Sequence, residues 1–120
     1  MVVKVVDFSA QSDAWEARRL ADLPDRVAAG DPHHHSVGRF SNPNGDLIAG
    51  TWTSTPGKWR AFTDRDEFCT ILSGHVRLIA EDGSVQEFRV GDSFLIPNGF
   101  RGFWEVVEPT TKHYVIRDYS

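Results

Sequence analysis

The sequence predicts an all-β fold: a small antiparallel jelly-roll barrel of the double-stranded β-helix type, with a short N-terminal helical extension. Short runs rich in β-branched and aromatic residues recur along the chain, as is typical of sandwiches and barrels. The turn pairs Asn44-Gly45 and Asp82-Gly83 separate such runs, and both are hairpin signals because their central positions need positive φ. A length of 120 residues allows one domain with one hydrophobic core.

The N-terminal extension is predicted to comprise residues 1–35, and the barrel residues 36–120. Residues 1–6 form a short apolar run that favours either an edge strand or a subunit contact. Asp13 is followed three residues later by Glu16, a capping-box-like pair that predicts one short helix at this point.

The barrel strands are predicted from residue alternation and from the turn residues between them. Ser73-Gly74 is interpreted as a turn between two strands, and Pro109 as the end of a third. Asn44-Gly45 and Asp82-Gly83 predict two-residue loops of type I′. Strands are expected at residues 37–41, 46–53, 58–62, 66–72, 75–80, 85–90, 93–96, 104–107 and 112–118.

The overall composition excludes several classes of protein. The formal net charge is −4 with interspersed signs, whereas a nucleic-acid-binding surface needs clustered basic residues. No apolar run approaches the roughly 20 residues that span a bilayer, so membrane insertion is excluded. A single cysteine, Cys69, and an N-terminus without signal-peptide features predict a cytoplasmic protein. A small polar metabolite is therefore the favoured partner.

A set of short motifs occupies the last two thirds of the chain. The motifs are Gly50-Thr51-Trp52, Thr55-Pro56-Gly57, Asp66-Glu67-Phe68-Cys69, Gly91-Asp92, Pro97-Asn98-Gly99 and Lys112-His113-Tyr114. Together they resemble the cupin superfamily and, more narrowly, the small single-domain cupins of the DUF861 type that are related to the cupin domains of (S)-ureidoglycine aminohydrolase. The resemblance implies a cupin barrel and allows a small-molecule enzyme of nitrogen or carbohydrate metabolism.

The same resemblance identifies where a metal would bind. Metal-binding cupins use His-x-His-x3-or-4-Glu in one motif and a histidine two residues beyond Pro-x-Gly in the other. With Glu67 as the glutamate, the other ligand positions hold residues that cannot replace imidazole: Ala61 and Thr63, or Arg60 and Phe62, according to the spacing, and then Gly102. We therefore expect no metal ion and no other cofactor.

Two other histidine groups have the residue types for a metal site. The run His33-His34-His35 does not favour one, because adjacent residues of an extended chain point to opposite sides. Glu67, His75 and His113 supply suitable donor atoms, but their spacing does not support convergence on one ion. Hydrogen-bonded structural histidines are the favoured interpretation.

Glu67 and Lys112 are the candidate catalytic residues. Alternation places Glu67 and Cys69 on one strand face, and Lys112 and Tyr114 on one face of the last strand. A buried carboxylate needs either a raised pKa or a cation, and Lys112 is the candidate cation. An acid/base pair at the barrel mouth is one interpretation, and a purely structural ion pair is the alternative.

The chain is rich in aromatic residues, with four Trp and eight Phe, and some of them are expected to line a pocket. Trp104 lies two residues beyond Gly102 and should point into the barrel. Cys69 behaves as a small buried hydrophobe unless a cation stabilises its thiolate. The candidate ligand-binding residues are Trp52, Arg60, Cys69, Phe94, Trp104 and Tyr114.

Three functions remain open at this point, because fold alone does not determine function. The first is a metal-independent enzyme that acts on a small metabolite by hydrolase or isomerase-type acid/base chemistry. The second is a non-catalytic module that binds a small polar metabolite. The third is a dimeric scaffold. Apolar strand faces in excess of what one barrel can bury predict a homodimer.

Overall fold

The computed structural model describes residues 2–120, which form nine β-strands in one strongly curled sheet. The all-β jelly-roll prediction is confirmed. Within this range there is no α-helix, only a single 3-10 turn at Leu20–Asp22, and hence no helix long and apolar enough to cross a membrane. The strands are β1 (Glu16–Arg19), β2 (Val27–Gly30), β3 (His33–Ser41), β4 (Leu47–Ser54), β5 (Gly57–Arg60), β6 (Arg65–Ala80), β7 (Val85–Arg89), β8 (Ser93–Ile96) and β9 (Gly102–Asp118).

Two long strands, β6 and β9, join the two layers of the jelly roll. The C-terminal half of β9 pairs with β4 and with the first half of β6, and β3, β1 and β8 extend this layer. The N-terminal half of β9 pairs with β5 and with the second half of β6, and β2 and β7 extend the other layer. All of these pairings are antiparallel.

The predicted turn at Ser73-Gly74 and the predicted strand end at Pro109 are both wrong, because β6 and β9 run through these positions. Their pairing shifts register between Ile71 and Val76 instead. Gly74 has a φ of +98°, and a Cβ there would collide with the Pro109 carbonyl oxygen and with Thr110. Glycine therefore lets the two strands bend together, as at a bulge.

The two predicted hairpins are present, but their turn type was wrong. β3 pairs with β4 and β6 with β7. Only the glycines have positive φ, at +74° for Gly45 and +88° for Gly83, whereas a type I′ turn also needs positive φ at the preceding residue. The Gly83 amide donates to the Ala80 carbonyl at 2.9 Å, so the turn closes one residue earlier than predicted.

The predicted helix in the N-terminal extension is also wrong. The four residues of β1 pair antiparallel with β3, so that Arg18 lies opposite His34. Sheet pairing outweighs the capping signal at Asp13, because a helix this short gains little by itself. Residues 2–6 have no regular secondary structure and are exposed, and Met1 lies outside the described residues. The proposed domain division at residue 35 stays a prediction.

The hydrophobic core lies between the two layers, where inward-facing side chains of alternate positions meet. Trp59 stacks on its cross-strand neighbour Trp104 with ring planes 8° apart and centroids 6.2 Å apart. Trp52 lies 5.9 Å from Trp104. These three rings also form one side of a cavity. Other buried core residues are Leu20, Cys69, Ile71, Val76, Leu78, Ile96 and Val106.

Candidate functional site

A cavity of about 520 Å³ lies between the layers, and its walls combine aromatic and charged side chains. Its volume suits a small molecule. Trp52, Trp59 and Trp104 supply the aromatic surface. The charged and polar groups come from β1, β3, β6 and β9, and they are Glu16, Arg18, His34, Ser36, Arg65, Glu67, Lys112 and Tyr114.

Glu67 and Lys112 form a buried ion pair in this wall. The Lys112 Nζ lies 2.7 Å from Glu67 Oε2, and the residues are 5% and 8% exposed, respectively. β6 and β9 are direct neighbours, and strand alternation turns both side chains inward. Two neighbouring strands thus bring together residues that are far apart in sequence.

The ammonium of Lys112 is also enclosed by aromatic rings. Its Nζ lies 4.5 Å from the Trp52 ring centroid and 4.1 Å from that of Trp104, within cation–π range. Burial acts to lower the pKa of Lys112, but the hydrogen-bonded Glu67 carboxylate raises it, so that the pKa lies above the ordinary lysine value. Lys112 is therefore a charged hydrogen-bond donor at neutral pH.

Cys69 lies beside the pair but is not part of the cavity wall. Its sulfur is 3.4 Å from Glu67 Oε2, and the residue is completely buried. Burial raises the pKa of the Cys69 thiol far above its usual range, an effect that the nearby Lys112 does not overcome. Cys69 is consequently a neutral thiol at neutral pH, and a nucleophilic role has no support.

His34 is the buried member of the histidine run, whereas His33 and His35 are exposed. This alternation agrees with the prediction that the three rings do not converge. The His34 ring contacts Trp52 and Trp59 edge-on, at centroid distances of 4.9 and 4.8 Å. Burial, aided by the charge of Lys112, lowers the pKa of His34 to about 4. Its imidazole is therefore neutral at pH 7.

Tyr114 lines the cavity next to Lys112 on the same face of β9. Burial raises the pKa of its phenol, so the hydroxyl keeps its proton at neutral pH. Gly50 makes room for this ring, because a Cβ at Gly50 would clash with the Tyr114 ring and with the Val37 carbonyl oxygen. The phenol adds a neutral hydrogen-bonding group to the wall.

The structure brings together five of the eight sequence-predicted site residues, namely Glu67, Lys112, Trp52, Trp104 and Tyr114. The other three do not line the cavity. Cys69 is sealed in the core, and the Phe94 ring stacks on Phe88 with centroids 4.0 Å apart and lies 5.9 Å from the Trp104 ring centroid. Arg60 is exposed, because alternation along β5 turns Trp59 inward.

The lining residues that sequence reasoning missed include Trp59, His34, Arg18 and Arg65. Trp59 could have been predicted, because it lies two residues before Ala61 and therefore on the same strand face as this vacant metal-ligand position. Arg18 had no such signal once its segment was predicted to be helical, and His34 had none because the first barrel strand was predicted to begin only at residue 37. Arg65 lies two residues before Glu67 and so on the same strand face, but the strand was predicted to begin only at residue 66.

The residues at the cupin ligand positions do not fit a metal ion. Ala61 lies in the cavity wall without a donor atom, and a Cβ at Gly102 would collide with the Ile79 carbonyl oxygen. His75 is hydrogen-bonded to Glu87 and His113 to Thr51, each at 2.9 Å, so neither joins Glu67. Across residues 2–120 no three His, Cys, Asp or Glu side chains are grouped to hold a metal.

A jelly roll of two layers joined by long bent strands, with a cavity between the layers, defines a cupin. The sequence pattern of the EutQ-like cupin domain matches residues 42–114, and the chain belongs to that family. No curated protein has a significant sequence match to it.

Solved structures with the same fold include three informative relatives. A DUF861 protein of unknown function from Pseudomonas syringae pv. tomato is 23% identical, with a TM-score of 0.77 over 92% of this chain and 46% of that one. The chain thus spans about half the length of that protein. The EutQ protein of Clostridium difficile is 18% identical, with a TM-score of 0.66 over 80% and 78% of the two chains. A DUF861 protein from Thermotoga maritima is 36% identical over 53% of this chain and 73% of its own, with a TM-score of 0.51.

Proposed function

We propose that the cavity binds a small polar metabolite without a metal ion, and that Glu67 and Lys112 are its main polar contacts. The observation that carries this proposal is a buried ion pair in the wall of a cavity of about 520 Å³. Sealed in a core, such a pair contributes little net stability, because desolvation of both charges offsets their attraction. In a cavity wall, the same charges are available to a ligand.

The chemistry of the wall supports a ligand with both polar and flat apolar parts. Lys112 offers N–H donors, and Glu67 offers acceptor oxygens. Trp52, Trp59 and Trp104 give the wall an aromatic surface against which an apolar or planar group can pack. Preorganised polar groups among aromatic surfaces are the usual composition of a small-molecule site.

A metal-independent enzyme is the second candidate, and the charge state of the pair favours it. Lys112 keeps its proton, so it can hydrogen-bond an oxygen on which negative charge develops. The neighbouring Glu67 carboxylate is then the group that would accept a proton from the substrate. The resemblance to ureidoglycine aminohydrolase cupins supports a small nitrogen-containing substrate and a hydrolase or isomerase-type reaction.

Thermal-shift screening of small polar metabolites in the presence of EDTA tests the binding proposal, with affinities measured by calorimetry. We expect saturable binding to the wild type that is at least about tenfold weaker in Glu67→Gln, because one charged hydrogen bond is worth this much. Glu108→Gln is the control, since Glu108 is exposed and does not line the cavity.

Turnover distinguishes the enzyme from the binding module, and two other results would contradict both. Turnover of a bound metabolite that is lost in Glu67→Gln supports the enzyme, whereas saturable binding without turnover supports the binding module. Binding that needs an added metal ion, or that Glu67→Gln leaves unchanged, would contradict the proposal.

A further inference from the structure

Two buried nitrogen atoms without a hydrogen-bond partner belong to residues that line this same cavity. Among residues 2–120, the buried side-chain polar atoms without a hydrogen-bond partner are His34 Nε2 and Arg65 Nε. Both residues line the cavity that contains Glu67 and Lys112. Buried polar atoms in native proteins are nearly always hydrogen-bonded, so each such atom needs an explanation. A ligand in the cavity would supply both partners.

The chemistry of these two atoms restricts the ligand. The Arg65 Nε always carries a hydrogen, because a guanidinium is not deprotonated in a protein, and it can only donate. His34 is a neutral imidazole in which one nitrogen donates and the other accepts. The ligand must therefore offer at least one acceptor oxygen to Arg65.

The charge balance of the wall is the second, independent observation. Its cations are Arg18, Arg65 and Lys112, and its anions are Glu16 and Glu67. Glu67 is already paired with Lys112. Within residues 2–120, neither Arg18 nor Arg65 makes an ion pair with a carboxylate. The wall thus has one cation more than it has anions.

We infer that the ligand is a small monocarboxylate whose carboxylate group contacts Arg65 and whose apolar part packs on the tryptophans. This inference rests on the proposed function, because it names the class of metabolite that the same cavity takes. One carboxylate neutralises the surplus charge and gives Arg65 the planar oxygen pair that suits a guanidinium. A phosphate monoester, with a charge of about −1.5 to −2, would overcompensate a single cation.

A probe set that differs only in charge tests the inference: phenylacetate, phenylacetamide, phenethylammonium and phenyl phosphate. Each is titrated against the protein in EDTA, with tryptophan fluorescence as the readout. We expect phenylacetate to bind at least tenfold more tightly than the amide or the ammonium compound. Arg65→Gln should abolish this preference, whereas Arg89→Gln, at an exposed position on β7, should keep it.

Arg18→Gln provides a second variant, because Arg18 is exposed on the edge strand β1 and its replacement leaves the core unchanged. It should weaken phenylacetate binding more than it weakens amide binding. Tightest binding of the phosphate, equal binding of amide and carboxylate, or no binding by any probe would each overturn the inference. In all three cases, Glu67-dependent binding of neutral polar metabolites would still support the proposed function.

Discussion

A buried lysine keeps its charge only when an anion lies close by, and Lys112 has such a partner in Glu67 at 2.7 Å. Neither charged side chain could be buried here without the other. Removal of one charge leaves the other desolvated, whereas removal of both leaves a neutral site. This dependence can be measured without knowledge of the ligand.

We predict that Lys112→Met lowers the free energy of unfolding by about 3–5 kcal/mol, because it leaves the Glu67 carboxylate buried without a cation. The double variant Glu67→Gln/Lys112→Met should lose clearly less than the sum of its single variants. Urea denaturation of all four proteins at pH 7 gives the coupling energy. Additive losses would show that the two residues do not interact in solution.

His34 predicts a pH dependence of stability. Its pKa is about 4 in the folded chain and 6.5 when it is unperturbed, so the unfolded state binds the proton more readily. The contribution of His34 is complete above pH 6.5 and is lost as the pH falls from 6.5 towards 4. That loss is on the order of 3 kcal/mol. The groups that repel the proton are Lys112 and Arg18, besides its neighbours in sequence.

The measurement is the unfolding free energy at pH 7.5 and at pH 4 for three proteins. His34→Gln should remove the His34 share of the acid destabilisation, because glutamine does not titrate. His35→Gln, at the adjacent exposed position, should behave like the wild type. The same acid sensitivity in all three proteins would refute a neutral buried His34.

At the residue scale, strand alternation predicted which side chains meet wherever the strand itself had been predicted. Glu67 and Lys112 were paired correctly because each lies on a strand whose inward face can be read from its neighbours. Arg60 was named as a ligand-binding residue, but it lies on the strand face opposite to that of Trp59 and is exposed. His34 was missed because β3 begins earlier than predicted.

At the scale of elements, β6 and β9 each continue where a strand end was predicted. Local sequence patterns indicate only the propensity to form a turn, and both Ser73-Gly74 and Pro109 have this propensity. Whether a glycine closes a hairpin or bends a continuous strand depends on what packs against it, and here Gly74 lies against Thr110. That contact is between residues far apart in sequence, so local patterns cannot show it.

Gly102 gives an element-scale prediction, because β9 begins there in tight contact with β6. A Cβ at this position would collide with the Ile79 carbonyl oxygen, and the Gly102 carbonyl is itself held by the Ala61 amide at 2.9 Å. Gly102→Ala should therefore lower the unfolding free energy by at least about 2 kcal/mol. Chemical denaturation measures this loss.

Gly38 is the matched control for Gly102. It also lies in a strand, but no atom comes within 4 Å of the place where its Cβ would stand. Gly38→Ala should leave stability unchanged or raise it by up to about 1 kcal/mol. A Gly102→Ala variant as stable as Gly38→Ala would show that β9 and β6 do not approach so closely in solution.

At the scale of the whole molecule, the outer face of one layer carries an exposed apolar row. Leu95, Phe68 and Val115 are direct cross-strand neighbours on β8, β6 and β9, and they are 58%, 46% and 38% exposed. A contiguous exposed apolar patch is where an interface is expected. We propose that two copies of the chain pack through this face, as the homodimer prediction requires.

Phe68→Glu should convert the dimer to a monomer, because it places a charge in the centre of the proposed interface. Val85→Glu is the control, since Val85 is also an exposed apolar residue but lies on β7 in the other layer. Light scattering after size exclusion should give twice the chain mass of 13.5 kDa for the wild type and for the control. A monomeric wild type, or equal dissociation of both variants, would contradict the proposal.

The most direct test of the proposed metal-independent site is a crystal structure of protein soaked with small polar fragments, with data collected above the absorption edges of the transition metals. We expect fragment density in contact with Glu67 and Lys112, beside the tryptophan rings, and no anomalous peak in the cavity. A metal peak within the cavity, or fragments that bind only elsewhere or not at all, would contradict it.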